Sequence, residues 1–269
     1  MRRKWFILFS VFALITLACG FLGRGNENDE VLPEAPQAGE APPSDPAPEN
    51  EEPAIEVPEV EAPAPAASSD APKFFIDEFD GEMVNDNWFV EYSYFVDEDV
   101  EEDDPEYNPT YTIEQRRGAL RFDIESPYLY LYQIYEPHLY DDVRIDFEVE
   151  NKGVNTNNVG AICRYTDYGW YEFITTSGGY YTIMRYYEDG NKELATGGIK
   201  SIRFGEDKKN VYSMICVGRT LILEVNGVEI ARVKDEEIPD AGYAGINISS
   251  EGVVPVQVEV NWLQISQPE

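Results

Sequence analysis

The sequence is short of the groups on which most enzyme and nucleic-acid chemistry depends. Among 269 residues there is one histidine, His138, with three cysteines, four methionines and four tryptophans. A lone imidazole removes most histidine-dependent acid–base catalysis and any His-rich metal cluster. Basic residues are scarce too: 20 lysines and arginines stand against 52 acids, a formal charge of -32. That imbalance excludes a surface that tracks phosphates, and docking on anionic lipid through charge, because both need a basic face. No Gly-x-Ser-x-Gly, P-loop or zinc-ligand helix is present. No amphipathic run exceeds two helical turns, which argues against a helical body.

What is present is unevenly spread. Arg2, Arg3 and Lys4 precede an apolar run from Trp5 to Ala18, then Cys19-Gly20. A basic start followed by such a run is the layout of a secretory signal. Thr16-Leu17-Ala18-Cys19 resembles the bacterial lipobox, in which the cysteine after a small residue is diacylated, although Leu17 sits one place late. The same stretch also reads as an uncleaved anchor, since the 18 residues from Trp5 to Leu22 are just long enough to span a bilayer. Either way the basic residues hold the N-terminus in the cytoplasm and place the remainder on the extracytoplasmic face of the cell membrane. Residues 1–25 are therefore a signal peptide or membrane anchor, with Cys19 the lipidation candidate. Residues 26–72 contain no lysine or arginine and 11 of the 18 prolines. Such an acidic Pro/Glu/Ala segment cannot bury enough apolar surface to offset its chain entropy, and reads as a disordered linker.

Residues 73–269 change character to aromatic and β-branched, with period-two alternation. Leu120–Ile124, Val143–Val149 and Leu221–Val225 alternate, and Asn226-Gly227 is a strong hairpin signal between Leu221–Val225 and Val228–Val233. Further strands are predicted at Val159–Tyr165, Trp170–Thr175, Tyr180–Tyr187, Val211–Cys216, Gly242–Ile248 and Val256–Ile265. A dozen short strands predict an all-β antiparallel sandwich of two sheets, with Trp88 and Trp262 in its core.

Several runs carry a resemblance: Phe79-Asp80, Asn87-Trp88, Gly160–Tyr165, Tyr171-Glu172-Phe173, Cys216-Val217-Gly218, Leu223–Gly227 and Gly242–Ile246. Together they resemble the concanavalin A-like lectin/glucanase jelly roll, in particular its laminin-G-like and 3-keto-disaccharide-hydrolase-like (DUF1080) branch. The resemblance implies two curved sheets, one concave and often used for glycan or protein binding. It implies no activity by itself. Asp146-Phe147-Glu148 is similar to part of the Glu-x-Asp-x-x-Glu strand of jelly-roll glucanases, but Arg144 stands where that family keeps its nucleophile. The pair therefore reads as the polar face of an ordinary strand.

Cys163 and Cys216 lie in separate predicted strands of an exported chain, which predicts a disulfide; the other reading is two buried free thiols. Asp97–Glu106, including Asp103 and Asp104, is dense in hard oxygen ligands and suits either a calcium site or a solvated acidic loop. Asp77, Asp80 and Asn85 are a fainter calcium candidate, and no other cofactor is expected. Tyr128-Leu129-Tyr130-Leu131-Tyr132 puts three rings on one face and two leucines on the other. If the leucines face the core, Tyr128, Tyr130 and Tyr132 form an outward ladder suited to stacking on sugar faces. Tyr165, Tyr168, Trp170 and Tyr171 supply a second cluster, with Arg164 and Asp167 as polar partners. Sheet packing explains the same rings. The sequence thus predicts a membrane-anchored, extracytoplasmic carbohydrate-binding module without catalysis. The alternatives are a surface adhesion or scaffolding protein that binds another protein, and a glycoside-acting hydrolase of the DUF1080-like branch. The partners expected are a carbohydrate or cell-surface polymer, another surface protein, and the membrane through the anchor; nucleic acid is excluded.

Overall fold

A computed structural model describes residues 70–81, 87–94, 108–153, 157–188 and 190–269. The expected signal or anchor with Cys19, the linker up to residue 69, Asn85 and the acidic run with Asp103 and Asp104 lie outside the described residues.

Fifteen strands follow one another without an α-helix among the described residues. They are β1 Phe75–Asp77, β2 Trp88–Tyr94, β3 Tyr111–Gln115, β4 Leu120–Ile124 and β5 Leu129–Tyr140. Then come β6 Val143–Asn151, β7 Asn158–Thr166, β8 Gly169–Thr176, β9 Tyr180–Tyr187 and β10 Gly190–Gly198. The last five are β11 Lys209–Val217, β12 Thr220–Val225, β13 Val228–Lys234, β14 Gly242–Ser249 and β15 Val256–Ser266. One sheet of eight strands runs β13-β12-β11-β6-β15-β4-β3, with β1 also paired to β15; the other, of seven, runs β10-β9-β8-β7-β14-β5-β2. Every recorded pairing is antiparallel, as period-two patterning and short turns require. The all-β two-sheet sandwich predicted from the sequence is the fold.

Alternation decides which residues are inside. Phe122 and Ile124 of β4, Ile145 and Phe147 of β6, Leu129 and Leu131 of β5, and Ala161 and Phe173 of β7 and β8 meet in one core. Asn226 and Gly227, with φ of 53° and 75°, form the β12–β13 turn that the sequence predicts. Cys163 on β7 and Cys216 on β11 are joined by a disulfide that links one sheet to the other. Trp88 packs on this core, against Tyr135 at 5.0 Å between ring centroids. Trp262 does not: a register shift between Val260 and Trp262 turns it away, and Leu263 takes the inward position.

The outer face of the eight-stranded sheet is ionic. Arg144 pairs with Asp146 at 2.8 Å and Glu224 at 3.1 Å, Arg121 with Asp123 and Glu259, and Lys209 with Glu148 at 3.3 Å. Asp146 and Glu148 are thus both ion-paired on this outer face, on the sheet opposite the one that carries Tyr130, Tyr132 and Trp170.

Candidate functional site

The outer face of the seven-stranded sheet is built differently. With Leu129, Leu131 and Tyr135 turned to the core, Tyr130, Tyr132 and Ile134 of β5 face outward. Register then aligns Glu91 of β2, Tyr132 of β5, Asn247 of β14 and Gly160 of β7 in one row. The next row holds Phe89, Ile134, Gly245, Ile162, Glu172 of β8, Met184 of β9 and Glu193 of β10. Trp170 and Tyr186 are register partners beside it.

At the centre lies Glu172, wholly buried. Its Oε2 accepts the indole N–H of Trp170 at 3.2 Å and the Tyr132 hydroxyl at 3.4 Å. Its Oε1 has no hydrogen-bond partner. Burial in this ring-lined setting pushes the carboxyl up to about 7, and the two donors only partly oppose that. In turn burial, then the Glu172 charge, pushes the Tyr130 phenol up to about 12, and the same two causes raise Tyr186.

The rings form a connected floor. Trp170 stacks on Tyr186 at 4.7 Å between centroids, lies 5.4 Å from Tyr165 and meets Tyr132 edge-on at 6.4 Å. Tyr165 donates its hydroxyl to Glu91. Tyr132 and Trp170 are each 8% exposed, so they are the underlayer, while Tyr130, Tyr165, Tyr186 and Tyr243 are half-buried and meet solvent. To reach β8 from β5 the Tyr132 phenol crosses β14 and β7, three inter-strand spacings of about 4.8 Å. Gly245 and Gly160 leave that path clear. A Cβ on Gly160 would come within 2.1 Å of the Phe173 carbonyl oxygen, and one on Gly245 within 2.3 Å of that of Gln133.

The predicted site residues are thus dispersed. Tyr132 and Trp170 meet at Glu172, and Tyr130 stands beside them. Tyr128 precedes β5 in a left-handed conformation (φ 54°) and is 47% exposed. Asp167 and Tyr168 lie exposed in the β7–β8 turn. Arg164 is put to another use: a register shift between Cys163 and Thr166, with φ of 52° at Arg164, carries it off the face. Its guanidinium is buried and donates to the carbonyls of Asp141, Ile238 and Gly218, fastening loops at the sandwich end. Asp77 accepts the Phe79 N–H in a local turn. Among the described residues no group of three or more His, Cys, Asp or Glu is arranged to hold a metal ion.

Glu172 and Tyr186 escaped the sequence reading. The available signal was one acid inside the large apolar run Trp170–Ile174, at the outward position of its strand. A small hollow of about 10 Å³, enough for a water molecule, lies elsewhere, at the sandwich end, lined by Asn157, Ser177, Arg203, Asn210 and Tyr212 among others.

No family model matches the sequence, and no curated protein matches it. Solved structures do. The fold is similar to a Bacillus subtilis protein of unknown function with a galectin-like fold, at TM-score 0.53 and 8% identity, covering 72% of this chain and 94% of that one. It is similar to one from work on endo-acting O-glycanases that members of the human gut microbiota express to initiate mucin breakdown, at TM-score 0.52 and 15% identity, covering 72% and 99%. It is also similar to a Bacillus licheniformis β-glucanase, at TM-score 0.50 and 12% identity, covering 72% and 98%. At these identities the likeness establishes the galectin-like and glucanase jelly-roll fold, and nothing finer.

Proposed function

We propose that this domain binds carbohydrate, without cleaving it, on the outer face of the seven-stranded sheet, and that the N-terminal segment tethers it to the extracytoplasmic side of the membrane. The observation that carries the binding reading is the ring floor of Tyr130, Tyr165, Tyr186 and Tyr243, backed by Tyr132, Trp170 and the buried Glu172. Flat phenols on a rigid sheet bury sugar faces and bond their edges at low cost in side-chain entropy. The galectin-like and glycan-acting neighbours share this architecture, which supports the reading, as does the sequence resemblance to laminin-G-like and 3-keto-disaccharide-hydrolase-like domains. Burial supports the non-catalytic reading: Glu172 is shut from solvent and both its hydrogen bonds go to underlayer rings, a poor position from which to protonate a glycosidic oxygen. The Cys163–Cys216 disulfide supports an oxidising compartment.

A glycan array tests the proposal. The full chain should retain at least one glycan class, and Tyr130→Ala with Tyr186→Ala should abolish retention while reporter glycosides stay intact. Steady hydrolysis of a reporter would overturn the non-catalytic part. A second reading, docking of another surface protein on the same sheet, draws on one observation: Tyr132 and Trp170 are covered, each 8% exposed, rather than lining a groove. Retention of protein but of no glycan would favour it.

A further inference from the structure

We propose that the small hollow at the sandwich end seats one ordered water molecule, which ties the two sheets together there through Asn157, independently of what the ring face binds. Asn157 stands immediately before β7 and is wholly buried. Its Oδ1 accepts the Ser177 hydroxyl at 2.6 Å, and its backbone carbonyl accepts the Ser177 N–H at 3.0 Å. Its Nδ2 has no partner among the described residues. A buried donor left unmet costs the desolvation of that group, so native interiors supply a partner from protein or water. Asn210, on the same lining, shows the contrast: its Oδ1 accepts from Arg203 N and Asn226 Nδ2, and its Nδ2 donates to the Arg203 carbonyl.

Size and lining both select water. The hollow measures about 10 Å³, room for a single water and too little for a sugar or an oxyanion. Val149, Val159 and Ile202 share its wall with Asn157, Ser177 and Tyr212, so it is not the purely apolar kind of cavity that stays dry. The Ser177 hydroxyl has its proton on Asn157 and keeps lone pairs to accept one from the water. Water also suits either orientation of the Asn157 amide, because it both accepts and donates. A halide would answer the nitrogen alone, and a cation the oxygen alone.

Position gives the water its role. Val149 and Tyr212 belong to β6 and β11 of the eight-stranded sheet, whereas Asn157, Val159 and Ser177 belong to β7 and the two turns beside it in the other. Cys163 and Cys216 each stand six residues further along the chain than Asn157 and Asn210. At the rise of a strand that is about 20 Å away. The disulfide therefore clasps β7 to β11 at one place, and the water would clasp the same two layers at another by hydrogen bonds.

Water–protein cross-relaxation, measured by NMR on the full isotope-labelled chain, is the test. The Asn157 side-chain amide protons should show a cross-peak to water with the sign of a molecule that tumbles with the protein. Asn157→Leu, which puts methyl groups into the hollow, should abolish the matching water signal at the Ser177 N–H. Should that variant not fold, Ser177→Ala decides: it keeps the Asn157 amide and widens the hollow, so the Asn157 cross-peak must persist, and its loss overturns the proposal. No cross-peak at Asn157 in the parent, or one with the sign of free solvent, overturns it as well. So does a saturable shift of the Asn157 amide resonances by sodium chloride that sodium sulfate does not reproduce, since the occupant is then a halide.

Discussion

The Tyr132 hydroxyl, carried by β5, reaches across β14 and β7 to the Glu172 carboxylate on β8, 3.4 Å away. That contact ties two non-adjacent strands of one sheet through side chains alone. It is possible because Gly160 and Gly245 leave the path between them open. Both donors favour the ionised carboxyl, so protonating Glu172 weakens its hold on Tyr132 and Trp170.

Stability should respond to pH through this carboxyl. Its folded value, about 7, stands above the ordinary 4.5. A raised value means that the contribution is fully present below pH 4.5 and is lost as pH climbs through 7. Glu172→Gln should therefore leave stability near pH 4.5 almost unchanged and raise it by about 3 kcal/mol at pH 8, the free-energy equivalent of the shift. Urea midpoints at pH 4.5 and 8 measure it, and a variant as pH-sensitive as the parent refutes the assignment.

The opposite sign is expected at Asp235. Burial alone would raise its carboxyl, but the Tyr171 hydroxyl, the Glu237 N–H and the Arg185 guanidinium outweigh burial and hold it below the ordinary carboxylate range. Its contribution is present above the ordinary value and fades as pH falls through the lowered one. Asp235→Ala leaves Arg185 buried without this counter-ion and should cost about 3–5 kcal/mol at pH 7. Chemical denaturation of Asp235→Asn alongside Asp235→Ala separates lost charge from lost packing.

The Cys163–Cys216 link closes a long loop across the two sheets. Reducing it, or replacing both cysteines with alanine, should lower stability by about 4 kcal/mol through the added freedom of the unfolded chain. Melting with and without dithiothreitol gives the answer, and the parent and double variant should coincide once reduced.

Gly160→Ala should be among the most damaging single substitutions, since its Cβ would meet backbone rather than a yielding side chain. Strand β7 would have to part from β8, with a loss of about 2–4 kcal/mol or no folded protein at all. Near-ultraviolet circular dichroism on a soluble preparation reports whether the Trp170 environment survives.

Tethering has its own check. Cys19→Ser should release the protein from the membrane fraction and abolish incorporation of radiolabelled palmitate if Cys19 is acylated. Persistence in the membrane without label would mark residues 5–22 as an uncleaved anchor.

Most of the architecture was legible because alternation is a local property. Leu120–Ile124 and Val143–Val149 declare both strand and inward face, and Asn226-Gly227 declares its turn. Strand β10 was not visible, since Gly190–Gly198 has no alternation and is a strand only by lying along β9. The disulfide could be read from two cysteines and a compartment. The site could not. Alternation places Glu172 on the same side as Trp170 but says nothing of Tyr132, 40 residues earlier in the chain. Their meeting depends on the order β5-β14-β7-β8, a long-range arrangement written in no single segment. Arg164 misleads for the converse reason: simple alternation would aim it outward, and one bulge redirects it to loop carbonyls.

The carbonyls of Ala71, Pro72 and Lys73 are gripped by His138, Tyr135 and Tyr140, all carried on β5. Tension arriving from the N-terminal side would therefore be delivered to the far end of the very strand that bears Tyr130 and Tyr132. Because Tyr135 and Tyr140 are themselves core residues and the chain runs on into β1 alongside β15, such a pull would be shared between both layers.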